Sequence, residues 1–319
     1  MLSEHVRVAI IRGQGSEIGG SVHTFWPLTR NPDQIALLKE RGLAGVSVDP
    51  GSDEYRQLMH WLMNNGYYRL SGYWRYHQKD PRNGENWFIA GSVAEVQAAY
   101  DFDAGLRSYL SEGLAVLEVT FRSRLAYYVA TVLGPLAYLE EDTYGDRKDK
   151  DGSVLRDKLL DDIDRQLADS KERFIQHHVR AGEPIPIWAA MEAVSFGTVS
   201  KLYSLLADAK IRADVAKTFG ISSYATMRSI VRSFVTLRNT CAHHGRIWNR
   251  VPDIPCPVLN PLKAKGDSSI YTQTPWGWIV MLCHLVDQIQ KNDRFSQDLY
   301  GFLDQHPELV VGLKYPKNH

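Results

Sequence analysis

The longest regular alternation of apolar and polar positions lies between Val93 and Leu133, where apolar side chains recur every three or four residues. At about 100° per residue these side chains share one helical face. The pattern predicts one long helix, or two nearly continuous ones. The apolar face consists of Val96, Tyr100, Leu106, Leu110, Leu114, Leu117, Phe121, Leu125, Tyr128 and Val132.

Shorter helical patterns flank this segment, separated by turn residues. Asn31 is a candidate N-cap with Pro32 in the first turn, and Gly42 is a candidate stop. The polar segment Glu140–Gly152 and the Glu183–Pro186 segment are breaks. Further predicted helices cover about residues 52–65, 153–178, 188–208 and 223–244, and a last helical region starts near residue 276 after a proline-rich crossing.

The pattern as a whole predicts an all-α protein, because helical periodicity dominates and nothing repeats at a fixed period. Residues 1–29 are rich in glycine and serine and predict an irregular N-terminal arm, with Val6–Ile11 as a candidate strand. We expect a helical bundle over residues 30–255 and a C-terminal helical extension packed on it over residues 256–319.

Composition narrows the class of protein. The 319 residues contain 37 basic and 37 acidic side chains, so any anionic partner must be bound by a local patch. Three cysteines without metal-ligand spacing favour a reducing cytoplasm. The longest apolar run near the end, Trp276–Val286, is too short to span a membrane.

One basic segment stands out in this neutral chain. Between Asp214 and Asp253 there is no acidic residue, but there are six basic ones. An arginine, an amide and a histidine follow each other here near a predicted helix end, as Arg238, Asn239 and His243. Arginine suits phosphate and histidine can move a proton near neutral pH, so the segment is a candidate site for binding and cutting RNA.

Helical projection also places charges on apolar faces. Asp103 with Arg107, and Glu118 with Arg122, are spaced four apart, as opposite charges that pair on one helix are. Buried charges need partners. We therefore expect Arg238 to be at least partly buried and to contact Glu118 or Glu192, or to stand at the wall of a cleft. A purely structural ion-pair network is an equally good interpretation. Its members would be Asp103, Arg107, Glu118, Arg122 and Glu192.

His243 belongs to a different face of the predicted helix. With Arg228, Arg232 and Asn239 it lies within about 60° of arc, whereas Arg238 projects roughly 140° away. Three explanations are open: the last turn is distorted, two copies of the helix assemble the site, or Arg238 is structural. His243 could also serve only as a favourable charge at a helix C-terminus.

These residues resemble a known family. Arg238, Asn239 and His243 are similar to the R-x4-H motif of HEPN domains, and longer landmarks between about residues 30 and 255 resemble the AbiD/AbiF-like abortive-infection family of bacteria. The landmarks are residues 34–43, 67–74, 100–107, Glu118 with Arg122, 188–200 and 237–250.

The resemblance implies a HEPN-type all-α fold, a role in antiphage defence and a metal-independent endoribonuclease without a cofactor. In such enzymes the arginine and histidine act from two facing domains, so this chain, with one motif, would need a homodimer. Arg238, Asn239 and His243 would then be catalytic. The strand would be held by Arg228, Arg232, His244, Arg246, Trp248 and Arg250.

Several alternatives stay open. His244 could carry the proton in place of His243, and Trp248 could stack a base or cover the end of the bundle. A non-catalytic module that clamps a small structured noncoding RNA is the second hypothesis, since some relatives work with such an RNA. A metalloenzyme and a nucleotide-binding transferase are disfavoured because neither ligand spacing nor a glycine-rich loop between a strand and a helix is present.

Overall fold

The structure is a computed structural model that describes residues 30–317. The predicted arm and the candidate strand Val6–Ile11 lie outside the described residues. The described part is all-α, with thirteen α-helices and one two-stranded hairpin, as the periodicity predicts. The first half contains α1 Asn31–Glu40, α2 Asp53–Asn65, α3 Tyr67–Trp74, β1 Gln78–Asp80, β2 Glu85–Phe88 and α4 Val93–Leu133. The second half contains α5 Leu155–Asp169, α6 Arg173–Ala181, α7 Ile187–Ala193, α8 Phe196–Leu205, α9 Ala209–Thr218, α10 Tyr224–Ala242, α11 Pro275–Gln290, α12 Arg294–Asp304 and α13 Pro307–Lys314.

Helix α4 is continuous over its 41 residues, which confirms the predicted span. The Ser92 hydroxyl caps its first turn by accepting from the Glu95 N–H at 3.2 Å, and Gly134 ends it with φ +102°. Its aliphatic and phenylalanine face is buried as predicted and Tyr100 and Tyr128 are half-buried, but at the end Val132 is 47 % exposed and Val129 is buried instead. An unbroken helix of this length gives the other helices one continuous surface to pack around.

The other helices pack around α4. Helices α3, α7, α8, α9, α10, α11 and α12 all contact it. The approach of α12 depends on Gly113, because a Cβ at that position would lie 2.4 Å from the Phe295 ring. The C-terminal helices therefore share the core with the rest of the chain. Within residues 30–317 no helix is long and apolar enough to cross a membrane.

Two predicted helices are interrupted. The helix expected to reach about His178 ends at Asp169, and α6 begins at Arg173. The helix expected from Trp188 to Asp208 ends at Ala193 and restarts as α8, and α9 follows as an additional helix. At the start of α1 the N-cap is Arg30 and not Asn31. Apart from α9, which was not predicted, the helix type was right and the boundary was wrong.

Candidate functional site

Helix α10 carries the motif and is anchored by its apolar face. Its core residues lie against α4 and α8, and the Ser223 hydroxyl caps its start by accepting from the Thr226 N–H. The buried face consists of Met227, Ile230, Val231, Ser233, Phe234, Leu237, Thr240 and Cys241. Arg232, Arg238, Asn239 and His243 are exposed. The helix thus presents its polar side chains from a fixed backbone.

The last turn of α10 is regular. The His243 N–H donates to the Asn239 carbonyl at 3.0 Å, which is the ordinary helical hydrogen bond. The helix then closes as a Schellman motif, with the N–H of His244 bonded to Cys241 and that of Gly245 bonded to Thr240. A distorted last turn is therefore wrong as an explanation of the motif. Arg238 and His243 project to different sides of one intact helix.

His244 occupies the left-handed position of this motif, with φ +53°. Glycine is the residue that adopts this conformation without strain. Replacing His244 by glycine is expected to raise the free energy of unfolding by about 1 kcal/mol, because the side chain is exposed and its strain is removed. Urea denaturation measures this. A loss of stability would show that the imidazole makes a stabilising contact.

Arg238 stands at the wall of a cleft. Its Nε lies 3.2 Å from Glu118 Oε2, and its Nη1 donates to Asn239 Oδ1 at 3.3 Å. The side chain is 44 % exposed, so Arg238 is not a core residue. The cleft has a volume of about 550 Å³ and is also lined by Arg122 and Glu192. Of the two predicted carboxylates, Glu118 is the one that Arg238 contacts.

Glu118 joins Arg238 to the interior. It is largely buried and also contacts Arg122 Nη2 at 2.5 Å. Arg122 donates to the carbonyls of Met191 and Val194, where α7 ends. These bonds replace the helical ones that the interruption removes, and a cation at a helix C-terminus is favourable.

Glu192 does not belong to this cluster. It is exposed, and none of the ion pairs within residues 30–317 involves it, so its predicted place in the ion-pair network is wrong. Projection along one helix from Trp188 to Asp208 put Glu192 on an apolar face, but the helix ends at Ala193 and Glu192 lines the same cleft as Arg122. The carbonyls at the end of α7 take the donors that a carboxylate would have taken.

Asp103 is the centre of a second cluster, which joins α4 and α3 to the loop that follows α10. Its completely buried carboxylate accepts from Arg107 at 2.6 Å, from the Tyr73 hydroxyl at 2.7 Å and from the backbone N–H groups of Ile247 and Trp248. Burial raises the pKa of Asp103, and Arg107 with the other donors limits that rise. Burial also raises the pKa of Tyr73, which keeps its phenol protonated as a donor. The loop after the motif is therefore fixed to α4 by one carboxylate.

The segment around the two clusters matches a known family. The sequence matches the family model described as Abi-like protein over residues 60–249, which is more than half of the chain and includes both α4 and α10. The chain belongs to the Abi-like family. The match supports the interpretation that this chain is a bacterial abortive-infection protein. No curated protein and no solved structure matches the chain.

Two residues expected on the RNA surface of this Abi-like protein are engaged by the fold: Trp248 lies in the interior, and Arg246 is half-buried. The Trp248 ring is 2 % exposed, stacks near Tyr73 and donates its Nε1 hydrogen to the Leu309 carbonyl at 2.8 Å. Arg246 donates to the carbonyls of Trp248 and Asn249, and burial lowers its pKa. The buried Trp248 ring cannot stack a base, so its predicted place on the RNA surface is wrong. The Nη1 of Arg246 is used by the loop carbonyls, and its contact with RNA stays a prediction. Trp248 covers the end of the bundle beneath α13.

The remaining basic residues of the Abi-like motif region lie at the surface. Arg228 is half-buried and Arg232 exposed, and both line a second cavity on the side of α10 away from Arg238. Arg250 is half-buried and contacts Asp253 at 2.8 Å, so its charge is partly neutralised. His244 is exposed, and its carbonyl accepts from Arg69 at 2.6 Å. Within residues 30–317 no group of three or more histidine, cysteine, aspartate or glutamate side chains could hold a metal ion.

The sequence did not reveal how the motif loop is held. Arg69 and Tyr73 belong to the aromatic segment of α3, and nothing in their spacing connects them to residues 244–248. The signal that was available is Asp103, a carboxylate within an apolar stripe. It predicted a buried pair with Arg107 but not the backbone donors of the loop.

Proposed function

We propose that this Abi-like protein is a HEPN-type endoribonuclease that cleaves RNA without a metal ion and acts in the cytoplasm as a homodimer. One observation carries the proposal. Arg238 and His243 are both exposed in the last two turns of α10, and the intact turn between them directs them to different sides. Two copies of the helix would bring the arginine of one chain to the histidine of the other.

The reaction would be an internal transfer at one phosphate. The ribose 2′-oxygen attacks the adjacent phosphorus, the bond from phosphorus to the 5′-oxygen breaks, and a 2′,3′-cyclic phosphate and a 5′-hydroxyl result. His243 takes the proton from the 2′-hydroxyl as general base, and a water molecule gives a proton to the leaving 5′-oxygen. Arg238 stabilises the negative charge that develops on the phosphate oxygens.

The neighbours of Arg238 suit this role. Glu118 and Asn239 accept from its Nε and Nη1, which leaves Nη2 with no hydrogen-bond partner within residues 30–317. A guanidinium held at two of its nitrogens keeps both N–H groups of the third nitrogen for phosphate oxygens. Asn239 orients the guanidinium and can itself donate through its amide.

A cleavage assay tests the proposal. Purified protein, incubated with end-labelled RNA in excess chelator, is expected to yield products that end in a 2′,3′-cyclic phosphate. Mass spectrometry identifies those ends. A substrate with 2′-O-methyl groups is the matched control, because it lacks the attacking hydroxyl and must remain intact. Cleavage of that control, or cleavage that stops with chelator, would rule the mechanism out.

A second function has an observation in its favour. The ion pair with Glu118 gives Arg238 a structural role that requires no catalysis. Such a role is expected in a non-catalytic module that binds a small structured noncoding RNA. This protein would retain RNA tightly and leave it intact in the same assay. Sequencing the nucleic acid that co-purifies with the chain identifies the bound RNA.

A further inference from the structure

A cavity of about 700 Å³ lies beside α10, between α5 and α8. It is separate from the cleft at Arg238, which opens on another side of the same helix. Its lining contains no carboxylate. We call this cavity the basic groove, after the basic side chains that line it: Arg147, Lys158, Lys201, Arg228 and Arg232.

The three arginines of the basic groove carry its unneutralised charge. Lys158 contacts Asp149 and Lys201 contacts Asp162, so the lysines are paired at the rim. None of the ion pairs in the described chain involves an arginine of the groove. Arg228 lies over the Tyr224 ring at 5.7 Å, a contact that leaves its guanidinium donors free. Unpaired guanidinium groups around a cavity without acidic residues favour an anion with several phosphate oxygens.

The rest of the lining is apolar or hydroxylated. Leu155, Leu205 and Val235 contribute apolar surface, and Ser200 and Ser229 contribute hydroxyl groups. An inorganic anion would leave the apolar surface unused, whereas a nucleotide has a base to cover it and a ribose for the hydroxyls. The volume is that of a small-ligand site, which suits one or a few nucleotides of a single strand better than a duplex.

The groove is also aligned with the motif. Arg228, Arg232 and Thr236 lie on one side of α10, and Asn239 and His243 continue on that side, so that all five fall within about 80° of arc. A strand that leaves the groove along the helix therefore passes the exposed His243.

We propose that the basic groove binds a single-stranded segment of RNA, with its phosphates on Arg147, Arg228 and Arg232 and a base on the apolar lining. The description of the groove as a substrate subsite rests on the proposed function. The binding itself does not, since a non-catalytic module would use the same phosphate contacts.

Binding of a 2′-O-methyl oligonucleotide tests the groove without cleavage. We expect Arg228→Gln/Arg232→Gln to bind the labelled oligonucleotide on the order of tenfold more weakly near 0.1 M salt. The slope of log affinity against log salt should fall by about 1.4, because two single-strand phosphate contacts are lost. Fluorescence anisotropy over a salt series measures both. Arg173→Gln/Arg180→Gln is the matched control, since it removes two exposed charges from α6, outside the groove.

Two further measurements keep the test decisive. The single variant Arg232→Gln removes an exposed side chain and should show about half the change in slope even if Arg228→Gln disturbs folding. Competition with adenosine monophosphate distinguishes binding of a strand from binding of a free nucleotide. If the nucleotide does not displace the oligonucleotide, strand binding is supported. If it displaces the oligonucleotide at equal concentration, the groove is a site for free nucleotides and the proposal is overturned.

Unchanged affinity and slope in both groove variants would also overturn the proposal. That result is independent of the cleavage assay. If the groove variants bind more weakly and the original chain does not cleave RNA, the groove proposal is supported and the nuclease proposal is contradicted. If the original chain cleaves RNA and the groove variants bind as it does, the nuclease proposal is supported and the groove proposal is contradicted.

Discussion

Mixing an Arg238→Ala chain with a His243→Ala chain is expected to restore RNA cleavage that neither homodimer shows alone. Each single variant should lose roughly 10²–10⁴-fold in rate, since one lacks the charge stabilisation and the other the proton transfer. Both side chains are exposed, so the variants should fold as the original chain does. In the heterodimer, the arginine of one chain can face the histidine of the other.

The recovered rate can be estimated. Random exchange gives about half heterodimers, each with one intact combination of two, so about a quarter of the original rate should return. Mixing the Arg238→Ala chain with an Arg238→Ala/His243→Ala chain is the control and should stay inactive. A monomer in solution that cleaves at full rate, or heterodimers that form and stay inactive, would contradict the composite site.

The second large effect is expected from Asp103→Ala, which should lower the free energy of unfolding by about 3–5 kcal/mol. The change leaves the buried Arg107 guanidinium without its partner, and the N–H groups of Ile247 and Trp248 without an acceptor. Chemical denaturation followed by circular dichroism measures the loss. Asp101→Ala is the control on the same helix, since Asp101 is exposed, and it should change stability little.

A double variant separates the charge from the loop attachment. Asp103→Leu/Arg107→Leu removes both charges and should be less destabilising than Asp103→Ala, because no unpaired buried charge remains. Hydrogen exchange at residues 245–248 should still rise in it, since the backbone donors have lost their acceptor. Unaltered stability in Asp103→Ala would mean that the cluster contributes nothing to the fold.

Local physics explains why α4 was predictable in full. Its apolar stripe, its serine cap and its terminal glycine all lie within the segment and its immediate flanks. The interruption at Val194 was not predictable in the same way. There, Arg122 takes the freed carbonyls, the Ser195 N–H donates to Gln166 Oε1, and the serine hydroxyl caps α8. These partners come from other helices, and periodicity within one segment cannot indicate them.

The same distinction applies to the site. Glu118 was one of the two carboxylates that helical projection offered as partners of Arg238, because both residues lie on regular helices. The burial of Trp248 did not follow, because its cover is α13, more than fifty residues further along the chain. A basic segment after a helix is a good indicator of a surface only when nothing later in the chain folds over it.

The length of α4 has a consequence for insertions and deletions. Asp103 holds the loop after the motif and Glu118 holds Arg238, and both belong to one rigid helix. They are separated by about 22 Å along the axis and about 60° around it. One residue inserted between them would turn Glu118 by about 100° relative to Asp103, so a single α10 could no longer meet both. The helix therefore fixes the spacing of the two contacts, and the number of residues between Asp103 and Glu118 is as constrained as the identity of these two residues.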